Sequence, residues 1–389
     1  MGTIAPTSVE LTQRRALHVL NSLPKIGPIT LKRLMEHFGH DAAAILRASS
    51  QELKAVPTVG RAMVDPIVRW QEVFDLAREE HRLRQYGGAF VACEDEDYPS
   101  LLKTMEDAPI GLNFLGDYRP DKPCIAIVGT RRPTAYGRHV ARQLSADLVR
   151  CGCCVVSGMA RGIDSEAHSG ALEAGGKTIA VLGCGPDIIY PPENSALYRR
   201  IIKEGAIVSE FPMGRRADRQ TFPMRNRIIA GMCAATIVVE SGSEGGSMIT
   251  ARFAGEQGRT VFAVPGRIDQ ATSQGCHALI RDGATLLTRV EDVMEDLNYS
   301  RQGTLKLSGL DGKGASPPQP PMGFKALPND LEAKARRVAE CFEAGEVCSI
   351  DGIAVATGLP VNEVTTELMM LELRGIVAKR LDGAFERKG

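Results

Sequence analysis

The chain has 389 residues, with 47 Lys and Arg against 47 Asp and Glu, 43% apolar residues and 24% charged ones. That length argues for two or three domains, and that composition excludes a wholly disordered chain. A net charge of zero gives no long-range pull towards nucleic acid or membrane, although charge segregated within a neutral total still permits such a partner.

No run of 18 or more apolar residues occurs, so no membrane-spanning helix is expected. The start, MGTIAPTSVELTQRR, lacks the apolar stretch of a secretory signal, and the expected compartment is the cytoplasm. Ten cysteines are too dilute for a disulfide scaffold. Cys151, Cys153 and Cys154 include one Cys-x-x-Cys spacing. Cys153 and Cys154 open the apolar run CCVVSG, so they are read as small core residues, and no metal or cofactor is expected.

Residues 8–90 read as a helical domain, with Leu17, Leu20, Leu31, Leu34, Met35 and Phe38 at helical spacing. Leu23-Pro24-Lys25-Ile26-Gly27 and Val56-Pro57-Thr58-Val59-Gly60 resemble each other between helical stretches. They have the look of helix-hairpin-helix turns in a SAM-like domain, with glycine permitting the bend. Few positive charges beyond Lys25 and Lys32 accompany them, which favours a packing role over phosphate binding. Residues 97–120 read as a Pro-punctuated connector.

From residue 124 apolar strands alternate with helices. CIAIVG precedes a helix near 136–150, CCVVSG one at 162–174, and KTIAVLG one at 194–204. AIVSE follows, then ATIVVE with a helix at 247–257, then TVFAVPG. Continuous Val/Ile runs between helices predict an α/β, doubly wound parallel sheet, Rossmann-like, within a domain over 91–298. Residues 299–327, rich in Gly and Pro, read as a linker. Residues 328–389 then give helices at 331–343, 350–357 and 361–374 and a short hairpin, the outline of a winged helix.

In such a sheet ligands bind beyond the carboxyl ends of the strands, near helix starts. Five loops therefore carry the functional reading. Gly129-Thr130-Arg131 can bring backbone and a forked cation to a phosphate, though its spacing matches neither the dinucleotide nor the P-loop pattern. Ser157-Gly158 through Gly162 has the same placement. Asp164 and His168, four apart on the next helix, are read as a helix-start carboxylate beside a packed histidine rather than a catalytic pair. The loop 183–194 is weaker, since no basic residue lies in it. The loop 214–227 holds five arginines and Phe222, a composition that suits phosphates with a base stacked on the ring. Gly245-Gly246-Ser247 forms a natural phosphate cradle. No nucleophile with a base and an orienting group is visible, so binding requires fewer assumptions than catalysis.

The runs GTRRPTAYG, SGMARGIDSEAH, FPMRNRIIAG, ESGSEGGSMITARFA and VFAVPG, in this order, resemble the DNA-processing protein A (DprA/Smf) family. The resemblance covers 124–290 closely, and the connector and both flanking domains fit one arrangement of that family. It implies an extended Rossmann fold, a non-catalytic role, single-stranded DNA as ligand, and dimers. In natural transformation such proteins protect incoming strands and load the RecA recombinase on them. Carried over by motif, Gly129, Thr130 and Arg131 would grip phosphate, and Ser157, Gly158 and Gly162 would shape the next loop. Phe222 would stack on a base with Arg225, Asn226 and Arg227 around it, assisted by Arg219; Gly246 and Ser247 join the DNA-binding set from the phosphate-cradle reading above.

Two other readings compete. One is a nucleotide-processing enzyme resembling the nucleoside-monophosphate phosphoribohydrolases, but no glutamate follows Gly245-Gly246 at a comparable place. The other is a winged-helix transcription regulator. Against it, the segment 361–374 carries Glu363, Glu367 and Glu372 against Arg374 alone, which favours a protein contact over duplex reading. On this view Arg131, Arg132, Arg215, Arg216, Arg219, Arg225 and Arg227 gather in loops at one end of the sheet, and neutrality reflects separated charge.

Overall fold

The computed structural model describes residues 10–116, 118–300, 327–328, 331–342, 347–380 and 383–387. Among the described residues the first elements are seven helices: α1 (Gln13–Ser22), α2 (Pro28–His37), α3 (Ala42–Arg47), α4 (Ser50–Lys54), α5 (Arg61–Val68), α6 (Trp70–Val73) and α7 (Leu76–Gln85). Thr12, Asp41, Ser49 and Asp75 cap α1, α3, α4 and α7 with side-chain oxygens. Leu17, Leu20, Leu31, Leu34 and Met35 are buried, and Phe38 packs against them half-buried. The same apolar cluster runs on into Ala180, Leu182 and Ile207 of the sheet.

The two similar turns precede α2 and α5. Their tight bend is made differently from expectation. The left-handed residues are Lys25 (φ 68°) and Thr58 (φ 69°), whereas Gly27 and Gly60 cap the following helices at φ −107° and −92°. The glycines stand at the helix starts as N-caps, with open space where a Cβ would lie, and not at the bend itself.

Nine strands form one sheet: β1 (Gly88–Ala92), β2 (Gly111–Leu115), β3 (Cys124–Val128), β4 (Cys154–Ser157), β5 (Thr178–Leu182), β6 (Ala206–Ser209), β7 (Ala235–Val238), β8 (Thr260–Ala263) and β9 (Thr285–Leu286). Their order is β1-β2-β6-β5-β4-β3-β7-β8-β9. The six strands expected from the sequence are β3 to β8, and all their neighbouring pairs are parallel. β1 and β2 extend the sheet antiparallel beyond β6, within and before what reads as a connector. Cys154 opens β4, and both Cys153 and Cys154 are buried, in keeping with their reading as core residues.

The helices of this region are α8 (Ala135–Arg150), α9 (Ile163–Glu173), α10 (Ser195–Glu204), α11 (Thr221–Gly231), α12 (Gly246–Glu256), α13 (Gln274–Arg281) and α14 (Val290–Ser300). The expected helices 136–150, 162–174, 194–204 and 247–257 correspond to α8, α9, α10 and α12. α11 corrects the sequence reading. The Arg-rich segment was expected as a loop through residue 227, yet it turns helical at Thr221, with Pro223 accommodated in the first turn.

β3 is the centre of the topology. From it the chain winds outward through β4, β5 and β6, then returns to place β7 on its other side. The carboxyl ends of β3 and β7 are therefore the switch point, where an open α/β sheet leaves a crevice.

The expected linker, 299–327, lies outside the described residues except at its margins. Beyond it α15 (Ala333–Glu340), α16 (Ile350–Thr357) and α17 (Val361–Leu373) pack on a small sheet of β10 (Val347–Cys348), β11 (Val377–Lys379) and β12 (Phe385–Arg387), ordered β10-β12-β11. Val338, Phe342, Ile353, Val364, Leu368, Val377 and Phe385 form its own core. This is the winged helix expected from the sequence, with β10 added. Among the described residues no helix is long and apolar enough to cross a membrane, and no group of three or more His, Cys, Asp or Glu is placed to hold a metal ion.

Candidate nucleic-acid interface

A cleft of about 480 Å³ opens at the switch point. Its walls are the loops after β3 and β7 and the starts of α9, α11 and α12. The two strand-end loops are stitched together, since the Thr130 N–H donates to the Glu240 carbonyl at 2.6 Å. Thr130 in turn accepts from the Ile163 N–H at 3.2 Å, fixing α9 to the same corner. Gly129 is required here: a Cβ would stand 2.6 Å from Ile163 and 2.8 Å from the Glu240 carbonyl oxygen.

Of the residues expected to act together, Gly129, Thr130, Arg131, Arg219, Phe222, Arg225, Asn226, Gly246 and Ser247 all line this cleft. Arg131 and Arg219 are exposed. The Arg131 guanidinium lies over the Phe222 ring, 5.6 Å from its centroid, within cation–π range. Asn226 reaches from α11 to the Gly246 carbonyl, donating at 3.4 Å. The N–H groups of Gly246 and Ser247 have no partner among the described residues and stand at the start of α12, where the helix dipole favours an anion. The Ser247 hydroxyl donates to that of Ser241 at 2.8 Å.

Arg225 has a different task from the one its composition suggests. It is buried at the cleft floor, donating through Nη1 to the Val181 carbonyl at 2.8 Å and to the Gly158 carbonyl. A Cβ on Gly158 would collide with this guanidinium, so glycine is needed there as well. Asp164 holds the same loop, accepting from the N–H groups of Gly158 at 3.1 Å and Ala160 at 3.3 Å. Burial pushes the Asp164 carboxyl above its usual range, and the Arg225 charge opposes that shift. Burial lowers the Arg225 pKa, and the Asp164 charge opposes that in turn. Two buried opposite charges thus brace the loop under the cleft. The Arg225 Nε has no hydrogen-bond partner among the described residues.

Four expected site residues are not brought to the cleft wall: Gly158, which borders only a smaller neighbouring recess beside Arg225, and Ser157, Gly162 and Arg227. Ser157 is fully buried, its hydroxyl donating to the Ile127 carbonyl at 2.6 Å. Gly162, at φ 78°, caps α9 and shapes the loop without lining the cavity. Arg227, on the far face of α11, is buried in an ion pair with Glu210 (2.5 Å) and donates to the Asp107 carbonyl at 2.6 Å. His168 is buried against Thr178 at 2.7 Å and held down to about 3 by burial, then by the Arg225 charge. The packed-histidine reading therefore stands. Sequence reasoning passed over Ala160, Ser241, Gly242 and Thr250 as site residues. Their signal was positional: each lies in a loop or helix start following β4 or β7.

Two family models match the chain: DNA recombination-mediator protein A over residues 89–298, and the DprA winged helix domain over 319–383. The chain belongs to the DprA/Smf family. Protein Smf of Synechocystis is 34% identical, covering 93% of this chain and 96% of that protein. The crystal structure of DprA from Streptococcus pneumoniae superposes with a TM-score of 0.65 at 33% identity, over 73% of this chain and 97% of that one. A DprA structure from Helicobacter pylori, described as revealing that protein's single-stranded DNA binding mode, has a TM-score of 0.49 at 29% identity, over 54% of this chain and 96% of that one. The DprA/Smf assignment agrees with the resemblance that the five motif runs carry, and those runs supply most of the residues that line the cleft.

Proposed function

We propose that this DprA/Smf protein binds single-stranded DNA in the switch-point cleft, protects the incoming strand and presents it to the RecA recombinase, without chemistry of its own. The observation that carries the reading is the combination within one cavity of open helix-start N–H groups, two exposed arginines and one aromatic ring. Phosphates suit the first two, and a base suits the third. A duplex hides its base faces in the stack and so offers nothing to Phe222. The Asp164 carboxylate and the serine hydroxyls that line the cleft are engaged in holding loops: Asp164 by backbone N–H groups, Ser247 by Ser241, and Ser241 by the Gly242 carbonyl. This favours binding over catalysis. The homodimer implied by the family resemblance and the cytoplasmic setting expected from the sequence complete the proposal.

The test is fluorescence anisotropy with labelled oligo-dT and with a duplex of equal length, at two salt concentrations. Tight, salt-sensitive binding to oligo-dT and much weaker binding to the duplex are expected. Equal affinity for both ligands would count against the reading. Adding RecA to the bound strand and following filament formation tests the loading step, and light scattering tests the dimer.

A further inference from the structure

Phe222 is a shared wall. One side of it faces the main cleft, and the other faces a recess of about 40 Å³ that Arg131 and Arg225 also border. The recess has one aromatic residue of its own, Tyr190, which the cleft does not touch. The Tyr190 and Phe222 rings lie 5.6 Å apart at 42°, too close and too tilted to admit a base between them. Together they form one aromatic ridge. Tyr190 leaves 44% of its surface exposed at the rim of that recess.

The loop that carries Tyr190 is held in place. The Tyr198 hydroxyl donates to the Pro186 carbonyl at 2.5 Å, and Asn194 donates to the Met159 carbonyl and the Ser165 hydroxyl, both at 2.9 Å. The Tyr198 bond fixes it to α10, and the Asn194 bonds tie it to the Ser157–Asp164 loop beneath the cleft and to the first turn of α9. A ring fixed in this way loses little entropy when a flat partner settles on it. The recess is too small to swallow a base, whereas the main cleft has room for a nucleotide. A second base would therefore lie across the exposed Tyr190 face.

Resting on the single-stranded DNA reading above, we propose that Tyr190 is a second stacking residue, which takes the base adjoining the one held at Phe222, so that the site engages two successive nucleotides. Stacking tolerates any base, because every base has a π-face.

Anisotropy with oligo-dT tests this on the full chain. Tyr190→Ala should weaken binding by about tenfold, while the slope of affinity against salt stays unchanged, because a ring contributes no phosphate contact. Tyr190→Phe should bind as the wild type does. Tyr190→Trp should also bind, and its added emission should be quenched on addition of oligo-dT. Wild-type affinity in Tyr190→Ala, equal weakening in Tyr190→Phe, or unquenched emission in Tyr190→Trp would each overturn the inference. If the wild type binds and Phe222→Ala weakens it while Tyr190→Ala does not, only this inference fails. If the wild type does not bind oligo-dT, the functional reading fails and this one with it.

Discussion

Arg131 and Phe222 touch each other but do separable work. The guanidinium is exposed and sits at the mouth of the cleft, where it can neutralise a phosphate and release counterions. The ring can only stack. Removing Arg131 as Arg131→Ala should therefore weaken oligo-dT binding and also reduce the salt slope by about 0.7. Phe222→Ala should weaken it by about tenfold with the slope intact. A plot of log affinity against log salt for both variants checks this, and parallel lines for Arg131→Ala and wild type would refute the phosphate role. At this scale the sequence was informative where chemistry depends on type and position, as at Gly129, Arg131 and Phe222. It misled where one arginine looks like another. Nothing local distinguishes Arg131, which faces solvent, from Arg225, which is locked beneath Gly158.

Helix α11 explains that failure. A buried helix is normally read from apolar residues at 3.6 spacing. Here two inward positions are arginines, whose charges are answered by groups far off in sequence: Asp164 near Arg225 and Glu210 on Arg227. The pattern looks polar, so the segment reads as a loop. β1 and β2 were missed for a related reason: both open on a glycine, and β2 is buried throughout even at Asn113, whose amide donates to the Phe211 carbonyl at 2.9 Å. The parallel strands were legible because burial on both faces demands unbroken apolar runs. The Arg227–Glu210 pair pins α11 to the end of β6, and breaking one half strands the other charge in the core. Arg227→Met should cost about 3–5 kcal/mol of stability, read by urea unfolding. Combining it with Glu210→Leu should recover much of that loss, as apolar pairs of similar volume replace buried ion pairs without penalty. The folded fraction of Arg227→Met should keep its oligo-dT affinity, because Arg227 lies away from the cleft. A stable Arg227→Met with lost binding would return this residue to the DNA site.

For the whole molecule, the balance of 47 against 47 charges has a different origin from the one the sequence suggests. Seven arginines were expected in loops at one end of the sheet, yet Arg225 and Arg227 are consumed in the interior and Arg215 pairs with Asp218 at 2.7 Å. The basic character of the cleft rests on Arg131 and Arg219 together with helix-start N–H groups, which carry no formal charge. Neutrality thus follows partly from internal pairing, and the protein need not be a basic surface to hold a strand. The interior also holds two neutral imidazoles, which set its response to acid. His18 is stacked on Phe90 at 4.1 Å and held down to about 3, by burial and then by the Arg14 charge; His168 is held down to about 3 as well. An unfolded chain protonates both near pH 6.5, and the folded chain does not. Their contribution is complete above pH 6.5 and is lost as the pH falls, by about 3 kcal/mol for the pair between pH 6.5 and 5. Asp164 and Glu210, whose carboxyls burial pushes up, act in the opposite sense as they take up protons in the folded state, so the net loss is smaller. His18→Phe fills an apolar slot whose imidazole Nε2 lacks a partner among the described residues. It should remove about half of the histidine contribution, and so at least half of the net acid slope of stability between pH 6.5 and 5, measured by urea unfolding at fixed ionic strength. An unchanged slope would show that His18 is protonated in the folded protein.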